Sequence, residues 1–208
     1  MSELSERSGV AVATVKYYLR EGLLPPGESV GATRARYDAN HVERLRLIRA
    51  LVDVAGLSLE RVRRVLAVVD DEAVPLDVAI GSAHGELSPE VAEEPSQGSS
   101  ARVASLIRRR RWQVDPEGRH ARALAAALDA LEAAGQPFDD DALAAYAQAA
   151  RSVAGVDVAG VRGLSRDRAT SHAVIGTVLA EPVLITLRRM AQEDLARRRL
   201  GRTPTVTP

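Results

Sequence analysis

A chain of 208 residues, 46% of them hydrophobic, is long enough for one large folded unit or two small ones, and with only 3% aromatic residues its core must be built from Ala, Val and Leu. The absence of cysteine excludes disulfides, thiolate catalysis and thiol-based metal or redox sensing. Formal net charge is zero but unevenly placed: eleven bases against eight acids up to residue 69, eight acids and no base over 70–100, and seventeen bases against twelve acids from 101 on. Two basic stretches flanking an acidic one are permissive for nucleic-acid binding.

Residues 1–9 are polar and charged, unlike a secretory leader, and no unbroken apolar run approaches the roughly 18 residues of a membrane span, so a cytoplasmic protein with no membrane partner is expected. Ser2 is placed to cap a short helix through about Ser8, with Leu4 turned inward. Gly9 breaks the pattern, a second helix is expected over 12–21, and Gly22 ends it. Pro25, Pro26, Gly27 and Gly31 mark an irregular, hairpin-like segment up to Tyr37. Asp38 sits where an N-cap belongs and opens a helix through residue 55, with Val42, Leu45, Ile48 and Val52 on one face. Gly56 stops that helix and Ser58 caps the next, whose inner face carries Leu59, Val62, Val65, Leu66 and Val69.

Residues 72–100 hold three prolines and three glycines and read as an acidic linker with one short helix near 76–83. Helical patterns return near 101–113, 117–134, 139–154, 166–180 and 182–199, separated by Pro116, Gly135, Pro137, Gly155, Gly160, Gly163 and Pro182. They describe an all-α bundle over 101–200, followed by a disordered tail over 201–208. The expected fold class is mainly α.

The chemistry concentrates in the first two helices. A 100° step per residue puts Val12, Val15 and Leu19 on one side of the second helix, and Lys16, Tyr17 and Arg20 on the other, with Ala13 between them and Thr14 at the edge. Lys16 and Arg20 suit phosphates or guanine acceptors in a major groove, and Tyr17 or Tyr18 can donate a hydroxyl to a phosphate oxygen. An ordinary amphipathic surface helix with a solvated basic face carries the same pattern. Arg34 and Arg36, at the tip or return strand of a hairpin, would grip the backbone beside that helix; solvated loop arginines look alike in sequence.

Residues 4–71 resemble the N-terminal domain of the MerR family of bacterial regulators. The resemblance is carried by Ser8-Gly9-Val10, Thr14-Val-Lys-Tyr-Tyr18, Gly22-Leu-Leu-Pro25, Arg36-Tyr-Asp38, His41-Val-Glu-Arg-Leu45, Ile48-Arg-Ala-Leu51 and Gly56-Leu-Ser-Leu-Glu60. It implies a winged helix-turn-helix over 1–71, with Thr14, Lys16, Tyr17 and Tyr18 at recognition-helix positions, Arg34, Arg36 and Tyr37 in the wing, and Ser58 at the start of a helix that meets a phosphate. Lys16 stands where Arg is usual, Ala13 where many members have a polar or basic residue, and the amino-terminal strand before the first helix is nearly absent. Family members pair through a long helix after the fourth, which the Pro- and Gly-rich 72–100 segment cannot supply as one continuous helix, so either the carboxy-terminal bundle supplies the contact of the expected homodimer or the chain pairs in some other way. The apolar stretch of Val174, Ile175, Val178, Leu179, Val183, Leu184, Leu187 and Met190 is either such a surface or a central core helix pair.

The bundle faintly resembles the effector and dimerisation domain of TetR-type regulators, which implies a pocket where Trp112, His120, Phe138, Tyr146, His172 or Met190 meets a small apolar effector; each also fits a core or boundary role. The Arg108–Arg111 run suits a helix end, the Asp139–Asp141 run a helix start, and the four histidines are too scattered for a local metal motif. No nucleophile motif or phosphate-cradling loop is present, so neither catalysis nor a cofactor is expected. The function read from sequence is a regulator of transcription bound to double-stranded DNA, meeting RNA polymerase indirectly; the alternative is a winged-helix interaction module that does not read DNA.

Overall fold

The computed structural model describes residues 1–30, 35–136, 138–161, 163–164 and 166–200. Arg34 and the 201–208 tail lie outside the described residues. The described chain is almost wholly helical: α1 (Ser2–Ser8), α2 (Val12–Arg20), a two-stranded antiparallel ribbon β1 (Glu28–Ser29) and β2 (Ala35–Arg36), α3 (Ala39–Arg49) running into a π-helical turn (Ala50–Val54), then α4 (Leu59–Asp70), α5 (Leu76–Leu87), α6 (Gln97–Arg110), α7 (Arg119–Ala133), α8 (Asp140–Ala159) and α9 (Arg166–Leu200).

The turn between α1 and α2 is fixed by three small residues. Gly9 takes the left-handed φ of +67° that closes α1, a conformation that costs a side-chain-bearing residue about 1–2 kcal/mol. Ser8, itself buried, donates its hydroxyl to the Leu4 carbonyl at 2.6 Å and accepts the Val10 amide at 3.3 Å. Ser5 donates to the Val10 carbonyl at 2.6 Å. Farther on, Asp38 caps α3 by accepting the His41 amide at 3.2 Å, and the hydrogen bonds from His41 hold its carboxyl below the usual carboxylate range.

The expected helix through residue 55 ends instead in the π-helical turn, where the Ala55 amide reaches back to the Ala50 carbonyl at 3.0 Å. Leu47, Ala50 and Leu51 join Val42, Leu45 and Ile48 in the interior, while Val52 stays half-buried.

Reading 72–100 as linker is corrected by α5, which runs four residues past the short helix expected there, and by α6, which starts at Gln97. Ala79 and Ala83, one turn apart, are fully buried and let α5 lie close against α4 and α9. That packing outweighs the roughly 1 kcal/mol each that Gly81 and Gly85 cost a helix interior. Ser96 caps α6 and is itself held by Asp129, whose carboxylate accepts its amide and its hydroxyl at 2.7 Å each. α8 continues through Gly155, and α9 is one helix through Pro182 rather than two. By length and composition alone Arg168–Leu200 is apolar enough to cross a membrane, with a mean hydropathy of 1.4 in its best window, although its unbroken apolar runs remain short. Part of it is nevertheless core: Val174 and Val178 are buried in the protein's own interior.

Two cores result. The first joins Leu4, Val15, Tyr18, Leu23 and Leu24 to Leu45, Ile48, Leu51, Val62 and Val65, and is completed by Ala83 of α5 and by Val174 and Val178 of α9. The second is formed by Val103, Leu106 and Ile107 of α6, Ala121, Ala125 and Leu128 of α7, and Leu143 and Ala147 of α8. A polar junction connects them. The buried Glu86 carboxylate lies 2.9 Å from Arg64 Nε of α4 and 3.0 Å from Arg119 Nη1 of α7. Arg61 donates to the carbonyls of Glu86 and Ser88, and Ser88 Oγ is 2.7 Å from His120 Nδ1.

Beside that junction His84 Nε2 of α5 faces Thr177 Oγ1 of α9 at 3.0 Å and the Ala173 carbonyl at 3.4 Å. Burial pushes its imidazole pKa below the ordinary histidine value, and does the same to His120. The unfolded chain therefore takes up protons first as pH falls below about 6.5, and the stability held in these neutral rings is full above that pH and lost below it. The thermal midpoint of His84→Gln should fall less between pH 7.5 and 5.5 than that of the unaltered chain; equal slopes would show that His84 does not hold α5 on α9.

Candidate nucleic-acid interface

α2 is held by one side and presented by the other. Val15 and Tyr18 are buried, Val12 and Leu19 half-buried, and Ala13, Lys16 and Arg20 form the exposed stripe with Tyr17 and Thr14 at its margins. Among the described residues neither Lys16 nor Arg20 has an acidic partner; the Arg20 guanidinium stands 5.4 Å from the centre of the Tyr17 ring. By contrast Arg44, Arg49 and Arg63 serve the fold. Arg44 donates to the Leu23 carbonyl at 3.0 Å and chelates Asp70, Arg49 reaches the Gly9 carbonyl at 3.3 Å, and Arg63 pairs with Glu21 at 2.7 Å. The two cations of α2 are thus free to meet an external anion, with a phenol between them.

Tyr18 is corrected out of the contact set. It is only 6% exposed, its ring lies in the first core 5.8 Å from Tyr17, and burial raises its pKa. The sequence signal was available: position 18 lies one turn from Val15, on the inner side of the helix.

The ribbon lies beside α2 in sequence and is small. Glu28 pairs with Arg36 across it, and the two side chains form an exposed ion pair through Arg36 Nε at 3.2 Å and Nη2. Arg36 is therefore exposed but charge-compensated. Tyr37 is half-buried, with its ring edge-on to His41 at 5.1 Å, so it buttresses the ribbon. Gly27 makes this approach possible, since a Cβ there would stand 2.6 Å from the Arg36 carbonyl oxygen and 2.9 Å from the Tyr37 ring. A cleft of about 320 Å³ opens between α1 and the ribbon, lined by Met1, Glu3, Arg7, Val30 and Ala35. Ser58 is exposed at the head of α4, accepting the Arg61 amide at 3.4 Å.

The six residues of the expected effector pocket are not gathered in one place. Trp112 and Phe138 pack against the second core, and Phe138 meets Tyr146 edge-on at 4.9 Å. Arg188 of α9 donates to the Tyr146 hydroxyl at 2.9 Å and covers its ring. His120 sits at the polar junction, His172 lies against Gly160, and Met190 is on an exposed face of α9. A larger groove, about 690 Å³, lies between α3, α4 and α9 and is lined by none of the six; its walls carry Asp38, Glu43, Asp70 and Glu72 against Arg44 and Arg168. Among the described residues no group of three His, Asp or Glu is arranged to hold a metal ion.

Residues 1–68 match the family described as MerR HTH family regulatory protein. The chain is 35% identical over 74 residues to the mercuric resistance operon regulatory protein of Bacillus cereus, a match covering 35% of this chain and 55% of that protein. It is 36% identical over 66 residues to nodulation protein NolA of Bradyrhizobium elkanii, covering 32% and 30% respectively. The chain thus spans about half or less of these relatives. A solved structure agrees over nearly its whole length: the "putative transcriptional regulator SCO5550" of Streptomyces coelicolor A3(2) superposes with a TM-score of 0.77 at 34% identity, covering 97% of this chain and 98% of that one.

Three substitutions separate framework from contact. Gly27→Ala should lower stability by about 1–3 kcal/mol in chemical denaturation, because the ribbon must open to admit the methyl group. Tyr18→Ala should cost about 3 kcal/mol or more, as removal of a buried aromatic does, while Lys16→Ala stays within about 0.5 kcal/mol of the unaltered chain. A Tyr18→Ala chain of unchanged stability would return Tyr18 to the surface.

Proposed function

Since the chain belongs to the MerR HTH family of regulatory proteins, DNA-binding regulators of transcription, we propose that two copies of it read the halves of a palindromic site, each with α2 in the major groove. The observation that carries this reading is the outer stripe of α2, where Lys16 and Arg20 lack acidic partners among the described residues and flank Tyr17. Lys16 and Arg20 take phosphate oxygens or guanine O6 and N7, Tyr17 donates to a phosphate, and Thr14 touches the groove edge. The ribbon acts as the wing: Arg36 exchanges Glu28 for a phosphate, Arg34 adds a second cation, and Tyr37 holds the strand in place. Ser58 and the exposed amides at the head of α4 meet the backbone at a helix N-terminus.

The carboxy-terminal helices supply the contact between copies, as a C2 pair requires. A small apolar effector bears on the cluster of Trp112, Phe138 and Tyr146, which touches α9 through Arg188. The protein works in the cytoplasm without catalysis and meets RNA polymerase only through the promoter it occupies.

Gel-shift titration on the DNA upstream of its own gene, in a salt series, tests this. Affinity should fall steeply with salt, and replacing both Lys16 and Arg20 by Ala should weaken binding by roughly 100-fold or more and flatten the salt slope, with the helical circular-dichroism signal intact. Weak binding independent of salt would instead mark an interaction module that does not read DNA.

A further inference from the structure

The outer stripe of α2 has a hollow at its centre. At 100° per residue, Ala13, Lys16, Tyr17 and Arg20 fall within about 100° of arc, opposite the buried Val15 and Tyr18. Lys16, Tyr17 and Arg20 carry long side chains, whereas Ala13, exposed and between them in angle, ends at its β-carbon. Ala13 is also the second residue of α2 and so lies in its first turn. In a helix laid in a major groove it is the amino-terminal residues that reach base edges. Thr14, the next methyl-bearing residue, is half-buried and lies beyond Tyr17 at the margin of the stripe.

The chemistry of that position is narrow. A methyl group neither donates nor accepts a hydrogen bond. A polar base edge packed against it gives up water and gains no partner, which is costly. Among the groups that the four base pairs present in the major groove, the C5 methyl of thymine is the apolar one. The fit is also geometrically fixed. The Ala13 Cβ has no torsion of its own to adjust, and Val15 and Tyr18 set the rotation of α2 by packing in the first core.

We infer that Ala13 is a specificity-determining residue that reads a thymine through its C5 methyl group. The inference rests on the DNA-reading function proposed above and adds one base to what α2 recognises. Lys16 stands about 4.5 Å farther along the helix axis, close to the base step of about 3.4 Å. The thymine therefore belongs to the base pair next to the one that Lys16 faces. Lys16 and Arg20 supply charge, and Ala13 supplies discrimination that does not depend on charge.

A methyl-by-methyl comparison on DNA tests this. The full-length chain selects duplexes from a randomised pool, and each thymine of the bound site is then replaced in turn by uracil, which lacks only the C5 methyl. At one thymine in each half-site, affinity of the unaltered chain in gel shift at fixed salt should fall about 4-fold, the worth of burying one methyl group. Ala13→Gly should bind the thymine and uracil duplexes alike, while Thr14→Ser should keep the difference, both with the helical circular-dichroism signal and the salt slope of the unaltered chain. One further measurement needs no altered protein: with a G·C pair at that step, 5-methylcytosine should bind more tightly than cytosine. A site with no thymine whose methyl matters, or a thymine–uracil difference that survives in Ala13→Gly, overturns the role of Ala13 and leaves DNA reading standing. A pool that enriches no sequence also overturns it, and weak binding independent of salt overturns DNA reading as well.

Discussion

The anchoring of α2 by its inner side is the constraint on which the rest of the molecule depends. Val15 and Tyr18 reach a core that also holds Leu45, Leu51 and Val65, and the turn before α2 is locked by the Ser5 and Ser8 hydroxyls and the left-handed Gly9. With its axis and rotation so determined, the helix can turn only one stripe outward, and that stripe bears Lys16 and Arg20. Arg44, Arg49 and Arg63 are spent on Leu23, Gly9 and Glu21 around the same unit. An external anion is therefore met by cations on a rigid element, which limits the ordering entropy lost on binding.

The second core is attached by different physics. Its helices α6 and α7 bury Val103, Leu106, Ala125 and Leu128 among themselves, and α7 meets α5 largely through Glu86, Arg119, Ser88 and His120. An apolar joint would weld the two cores together. A buried carboxylate shared by two arginines has instead one geometry that satisfies it and a steep loss when either partner leaves. That ties the position of α6–α8 to the survival of both ion pairs.

Much of this was legible in the sequence, because the signals were local. Asp38 and Ser58 mark the starts of α3 and α4, Gly9 and Gly22 bracket α2, and the periodicity of Val62, Val65, Leu66 and Val69 gives the inner face of α4. What escaped depends on tertiary contact. The acidic segment reads as linker until Ala79 and Ala83 are seen between α4 and α9, and Glu86 reads as solvated until Arg64 and Arg119 surround it. Tyr18 was misplaced because a phenol beside another phenol suggests polarity, whereas helix phase decides which of two neighbours is turned inward. The continuity of α9 past Pro182 was hidden by the usual rule that proline breaks a helix; here the Leu, Ala and Arg on either side are good helix formers and the ring sits on an exposed stretch.

That unbroken α9 has a mechanical consequence. It is rooted beside α3, α4 and α5 by Val174 and Val178, and at 1.5 Å per residue the stretch from Val178 to Leu200 makes an arm about 33 Å long. A tilt of about 5° at the root then sweeps the tip through roughly 3 Å. Run in reverse, the arm gears motion down: a shift of several ångströms at its tip becomes a few degrees of rotation at its root, turning the first core as a unit without repacking it.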